Sequence, residues 1–217
     1  MKRFIIIAIS LVLNLNICYS LQLPKIFSDN MVLQQNDTIS IWGWGKSWNK
    51  IVITTSWGVS DTVWVNNESN WSAKIPTPLG SFDKHTITIQ EFGLNKEKSI
   101  NIDDVYGKVV LNNVLVGEVW LCSGQSNMEW NAKAGIESEK TEVPASNYPN
   151  IRFFKITKRI SDFPQDDLGG GSWMQSTPET MKSFSAVGYF FGKMLHNKLN
   201  VPIGLISDAW GGIPIDV

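Results

Sequence analysis

The strongest constraint on the fold is one helical pattern, Ser183 to Leu199, preceded by a short apolar run at Val119–Cys122 and followed by another at Ile203–Ser207. Phe184, Val187, Phe191, Met194, Leu195 and Leu199 keep a helical spacing that lines one stripe, which reads as core material. Ser183 can cap the start, and Pro202 closes the segment. The two apolar runs read as fully buried strands. Strand, helix and strand in this order form a β-α-β unit, hence part of a parallel sheet. Both strands end in glycine-bearing polar loops, one holding Gly124 and Ser126, the other Asp208 to Gly212. Loops after parallel strands face one crevice, where open α/β sheets place reactive groups. Ser126 is therefore the candidate nucleophile, with an ordinary strand-end turn as the alternative reading. Asn127 to Ala134 is expected to start a helix whose first backbone N–H groups favour negative charge.

Before this unit the texture changes. From Leu23 to about Val105, short apolar or alternating runs recur at Thr38–Trp44, Lys50–Trp57, Thr62–Val65, Trp71–Ile75, His85–Gln90 and Ser99–Ile102. Turn clusters separate them, and the spacing predicts a β-sandwich. Six of the ten tryptophans lie here: Trp42, Trp44, Trp48, Trp57, Trp64 and Trp71. They read either as a glycan-binding platform or as core. The shared strand face of Trp42 and Trp44 favours core packing. His85 reads as a partly exposed structural residue, and His196 as a cation complementing the end of the helix. Further on, Gly135–Pro149 reads as a solvated loop or frayed helix, Ile151–Ile156 as a β run and Phe163–Ser176 as a loop. The expected layout is a leader over 1–20, a β domain over 21–111 and an α/β domain over 112–217.

Composition bounds the function. The net charge of −1 with no basic run excludes nucleic acid as an expected partner. Lys2 and Arg3 precede an apolar stretch from Phe4 to Leu15, and Cys18-Tyr19-Ser20 offers small residues for cleavage near Ser20. That stretch is too short for a comfortable transmembrane helix, so an exported protein with no stable membrane span is expected. The bulky Ile17 argues against a lipid anchor on Cys18. Loss of Cys18 leaves Cys122 alone, a buried and inert thiol by its place in a strand.

The segment Gly117-Glu-Val-Trp-Leu-Cys-Ser-Gly-Gln-Ser-Asn-Met-Glu129 resembles the nucleophile block of the sialate O-acetylesterases, within the SGNH/GDSL hydrolase group. Three more blocks agree: Leu23 to Gln34, Phe184 to Gly192, and Val201 to Ile206 followed by Trp210-Gly211-Gly212. The resemblance implies an SGNH-type (flavodoxin-like) α/β hydrolase domain preceded by an N-terminal β-sandwich. It implies that Ser126 attacks an O-acetyl ester of sialic acid or another acetylated sugar, giving an acyl-enzyme. The Ser126 N–H and an N–H from Gly211 or Gly212 would form part of the oxyanion hole, and Gln125 and Asn127 are candidate substrate contacts. No metal or organic cofactor is implied.

Two departures stand out. Ile213 replaces the threonine or serine that usually follows the glycine pair, and the late Asp/His block that supplies the general base is absent. The only histidines are His85 and His196, so the α/β domain is expected to be incomplete at its C-terminus. An acetylesterase acting on other polysaccharides such as xylan, and a non-catalytic glycan-binding remnant, remain as alternatives.

Overall fold

The computed structural model describes residues 21–94 and 100–212. The leader reading of residues 1–20, the first residue of the Ser99–Ile102 run and the departure at Ile213 lie outside these described residues. The chain runs through β1 (Val32–Gln34), β2 (Thr38–Trp44), β3 (Lys50–Thr55), β4 (Ser60–Trp64), β5 (Asn70–Pro76), β6 (Ser81–Leu94) and β7 (Ile100–Gly124). It continues with α1 (Ser126–Glu129), α2 (Glu139–Glu142), β8 (Tyr148–Lys155), β9 (Trp173–Ser176), α3 (Pro178–Ser183), α4 (Ala186–Leu199) and β10 (Ile203–Ala209).

The first half is built by period-two alternation. In β5 Trp71, Ala73 and Ile75 point inward, and in β3 Ile51 and Ile53 do so. The β2–β5 ribbon and the β4–β3–β6–β7 strands share one apolar cluster that includes Ile41, Ile75, Ile53, Ile87 and Ile89. The tryptophans depart from the core expectation. Trp42, Trp48 and Trp64 are exposed, Trp44 and Trp57 are half-buried, and Trp71 is buried. The inward face of β2 belongs instead to Ile41 and Gly43, because residues 21–23 lie against it. Trp44 exchanges two backbone bonds with Gln22, and a Cβ on Gly43 would fall 2.2 Å from the Gln22 carbonyl oxygen. His85 is half-buried, with Nδ1 3.1 Å from Ser56 Oγ.

The separate runs near His85 and Ser99 belong to two long strands. β7 spans 25 residues and passes through Leu111 without a break, pairing antiparallel with β6 along its first part. It then pairs parallel with β1 at Leu115–Gly117 and with β10 at Glu118–Gly124. β10 also pairs parallel with β8, which pairs antiparallel with β9. The parallel β-α-β expectation therefore holds for β7, α4 and β10.

The helix differs from its apolar stripe. Two helices replace one: Thr177 caps α3, and Ser185, not Ser183, caps α4 through its hydroxyl, which accepts from the Gly188 N–H at 3.0 Å. The buried face of α4 is Ala186, Gly188, Tyr189 and Gly192, while Val187 and Met194 are exposed. Close approach explains this. A Cβ at Gly188 would lie 3.0 Å from Cys122 Sγ, and one at Gly192 would lie 2.6 Å from Leu205 Cδ1. A glycine seam lets the helix axis settle on β7 and β10, so the larger side chains are displaced to its flanks. Among the described residues no helix is long and apolar enough to cross a membrane.

The approach of β7 to the start of β10 is equally tight. The Glu118 N–H donates to the Pro202 carbonyl at 3.0 Å, and a Cβ on Gly117 would meet that same oxygen at 2.0 Å. Backbone cannot rotate away as a side chain can, so Gly117→Ala is expected to lower stability by about 1–3 kcal/mol. A urea midpoint shifted to lower concentration with an unchanged slope would register this.

Candidate active site

The site begins where β7 ends. Cys122 is buried beneath α4, and burial pushes its thiol pKa upward, as expected for an inert cysteine. The rest of the run is less enclosed than its apolar sequence predicts, because only one side of it is paired by a described strand. Trp120 is 43% exposed and leans edge-on against Phe191, and Leu121 is 62% exposed. Gly124 then reverses the chain with φ +146°, a conformation that L side chains rarely adopt.

Ser126 follows at the exposed start of α1. The helix expected from Asn127 to Ala134 is a single turn, since Trp130 leaves it with φ −56° and ψ 128°. A 3₁₀ turn at Ala132–Ala134 follows, capped by Asn131. Trp130 is drawn off by tertiary bonds: its carbonyl accepts the Ala186 N–H, and its indole N–H donates to the Gly135 carbonyl. One turn carries little macrodipole, so stabilisation of an anion at Ser126 has to come from individual donors. Gln125 and Asn127 flank the serine, both exposed.

The second loop meets the first. The Trp210 N–H donates to the Gly124 carbonyl at 3.0 Å, extending the β7–β10 pairing by one step. Gly211 then lies against Ser126: a Cβ there would stand 3.2 Å from Ser126 Oγ and 3.2 Å from Glu129 Oε2. A side chain at this position would crowd the serine hydroxyl. The Gly211 N–H donates to Glu129 Oε2 at 2.7 Å, so it is turned toward a carboxylate and away from the role of a vacant donor. Gly212, at φ +85°, has open space around its α-carbon. The other oxygen of Glu129 accepts from Lys158 Nζ, and that ammonium lies 5.2 Å from the ring centre of Trp210. The Lys158 hydrogen bond, then the Gly211 N–H, hold the Glu129 carboxyl below its ordinary value.

Glu129, Lys158 and Trp210 are thus site residues that the sequence reading left without a role. Glu129 stands three positions after Ser126, one helical turn away, and Trp210 precedes the glycine pair. Lys158 gives no local signal, because the fold alone brings it from beyond β8. Beside this cluster a cleft of about 510 Å3 runs past Lys158, Asp208 and Trp210 to Trp42 and Pro24. Neither histidine reaches the serine. His196 Nδ1 lies 2.7 Å from the Val201 carbonyl oxygen, and His85 is engaged with Ser56. Among the described residues no group of three or more His, Cys, Asp or Glu side chains could hold a metal ion.

Comparison with known proteins supports the resemblance drawn from the four sequence blocks. No protein-family model matches the chain. The sialate O-acetylesterase of Rattus norvegicus is 29% identical over 204 residues, covering 88% of this chain and 36% of that protein. The sialate O-acetylesterase of Homo sapiens is 26% identical over 201 residues, covering 87% and 37% respectively. Among solved structures, a carbohydrate acetylesterase from Xanthomonas citri superposes with a TM-score of 0.78 at 33% identity. That match covers 90% of this chain and 41% of the other. The mixed α/β sheet is therefore similar to that of a carbohydrate acetylesterase, and the chain spans about a third of the length of the curated relatives it matches.

The Glu129–Gly211 bond makes a pH signature. A carboxyl whose folded pKa is lowered contributes stability above its unfolded pKa, and that contribution is lost as pH falls through the lower folded value. The Gly211 amide resonance is expected to titrate with a midpoint below the ordinary glutamate range. In Glu129→Gln the same resonance should stay flat, and an NMR pH series on both proteins reads the difference.

Proposed function

We propose that this chain carries the nucleophile of a carbohydrate O-acetylesterase acting on acetylated sialic acid or a related acetylated sugar. Ser126 Oγ attacks the acetyl carbonyl carbon and loses its proton to a base. The tetrahedral oxyanion collapses with departure of the sugar oxygen, which is protonated as it leaves. Water then attacks the acetyl-serine, releasing acetate and restoring the hydroxyl. The Ser126 N–H is one oxyanion donor. Gly212 is the glycine we assign as the second, since the Gly211 N–H is held by Glu129. One such donor is typically worth about 2.7–4 kcal/mol of barrier. The observation that carries this reading is the bare approach of Gly211 to the exposed Ser126 hydroxyl, at the joined ends of two parallel strands.

The base belongs, in this reading, to polypeptide beyond residue 217, within the share of the relatives that the chain does not span. Two observations support that placement. Neither histidine contacts Ser126, and no described strand pairs with the β7 edge opposite β10, beside the exposed Trp120 and Leu121. We further propose that residues 1–20 direct export, that 21–111 form a β-sandwich domain and that 112–217 begin the esterase domain. The β-sandwich proposal draws support from the cluster shared by the β2–β5 ribbon and the larger sheet.

Ser126→Ala in the protein extended past Val217 is expected to abolish acetate release from 9-O-acetylated sialic acid, by roughly a million-fold in turnover. Retained turnover would overturn the assignment. The 217-residue chain alone is expected to hydrolyse acetyl esters near the uncatalysed rate, as measured by release of acetate.

A further inference from the structure

We infer that the tryptophans on the outer face of β2 and β4 form a binding track for the neutral part of an oligosaccharide, leading into the cleft that ends at Lys158 and Trp210. A groove of about 450 Å3 lies over the β2–β5 ribbon, lined by Trp42, Trp64, Asn66, Asn70, Ser72 and the buried Trp71. Sugar rings present C–H faces that stack on aromatic planes and hydroxyls that need hydrogen-bond partners at their rims. The groove supplies both: two indoles exposed at 42% and 51%, and two carboxamides and a hydroxyl between them.

Three further observations narrow the ligand. No charged side chain lines the groove, so the units it takes are uncharged. Trp42 is held edge-on by Phe27 at 4.6 Å, which fixes the platform before any ligand arrives and removes an ordering cost. Trp42 also lines the cleft that runs to Lys158 and Trp210, the residues that flank Glu129 and Gly211. The groove and the cleft therefore adjoin at Trp42. A chain whose acetylated unit lies at Ser126 passes its following units along the cleft and over Trp42 toward Trp64. The direction of this track rests on Ser126 marking the reactive end; the existence of the groove does not.

The test is binding, which needs no turnover. Calorimetric titration of the 217-residue chain with xylohexaose and xylobiose is expected to show the hexasaccharide bound at least about tenfold tighter, the order that one aromatic platform contributes. Titration with 3′-sialyllactose distinguishes the source of the neutral units, a plant-type backbone or the lactose part of a sialoglycan. Trp64→Ala should remove the tenfold gain of whichever longer sugar binds. Trp48→Ala, which deletes an exposed indole outside the groove, should keep it. Equal affinity for short and long sugars, binding of neither oligosaccharide, or a gain that survives Trp64→Ala would each overturn the track. Any of these results leaves the Ser126 assignment standing, because acetate release is measured separately.

Discussion

One strand holds both halves of this molecule in register. β7 is hydrogen-bonded to β6, to β1 and to β10 in succession, so the face each of its residues shows is decided jointly by three partners. Side chains alternate with a period of two, and a slip of one residue would turn the core of both halves outward. The strand is not uniform. At Asn113 it takes φ +53°, where asparagine is among the residues that tolerate the left-handed region, and its pairing with β6 is irregular over the same stretch. A bulge of this kind re-aims a strand. Beyond it, β7 leaves β6 and runs beside β10 toward Ser126.

The bend is pinned from inside. Arg152 on β8 is 1% exposed and donates to the carbonyls of Pro149 and Asn30 and to Asn113 Oδ1. Burial pushes its pKa down, yet the guanidinium keeps three oxygen acceptors, so its donors are not left stranded. Asn113 in turn donates to Asn30 Oδ1 at 2.6 Å. Residues from β8, β7 and the segment before β1 thus meet at one polar knot within an apolar region. Gln34 extends the tie toward the site, with its side-chain oxygen accepting the Val119 N–H at 3.0 Å. The opening segment, one of the four blocks behind the family resemblance, is therefore structural: it holds β7 on course for Ser126.

What the sequence revealed and what it hid follow from the range of each interaction. Strands marked by alternation, such as β3 and β5, were legible because the signal lies within a few residues. The parallel pairing of β7 with β10 was legible because a helix separated two short apolar runs. The fusion of the His85 and Ser99 runs into two long strands depends on pairing across the sheet, which no local window records. The face of α4 escapes the apolar pattern for a related reason. Apolar spacing marks large side chains, whereas the buried face consists of residues small enough for the helix to approach, Ala186, Gly188 and Gly192, with Tyr189 alone among the large ones. At the site, Ser126 and the glycine pair stood out as loops after strands. Glu129 and Lys158 gained meaning only when two loops and the segment after β8 met in space.

That meeting raises an electrostatic difficulty that the arrangement itself resolves. The proposed acyl transfer develops negative charge on an oxygen next to Ser126, and Glu129 places a carboxylate one helical turn from that serine. Two like charges a few ångströms apart would raise the barrier. Lys158 offsets part of that penalty by pairing with one oxygen of Glu129, while the Gly211 N–H takes the other. The ammonium is fixed in turn by the face of Trp210, which the β7–β10 pairing carries to the site through the Gly124 carbonyl. A carboxylate paired in this way can hold the Gly211 loop against Ser126 without opposing the charge that the proposed attack creates. The same negative oxygen without Lys158 would position the loop equally well and work against the chemistry. The cation therefore matters more for what Ser126 can stabilise than for how the loop is shaped.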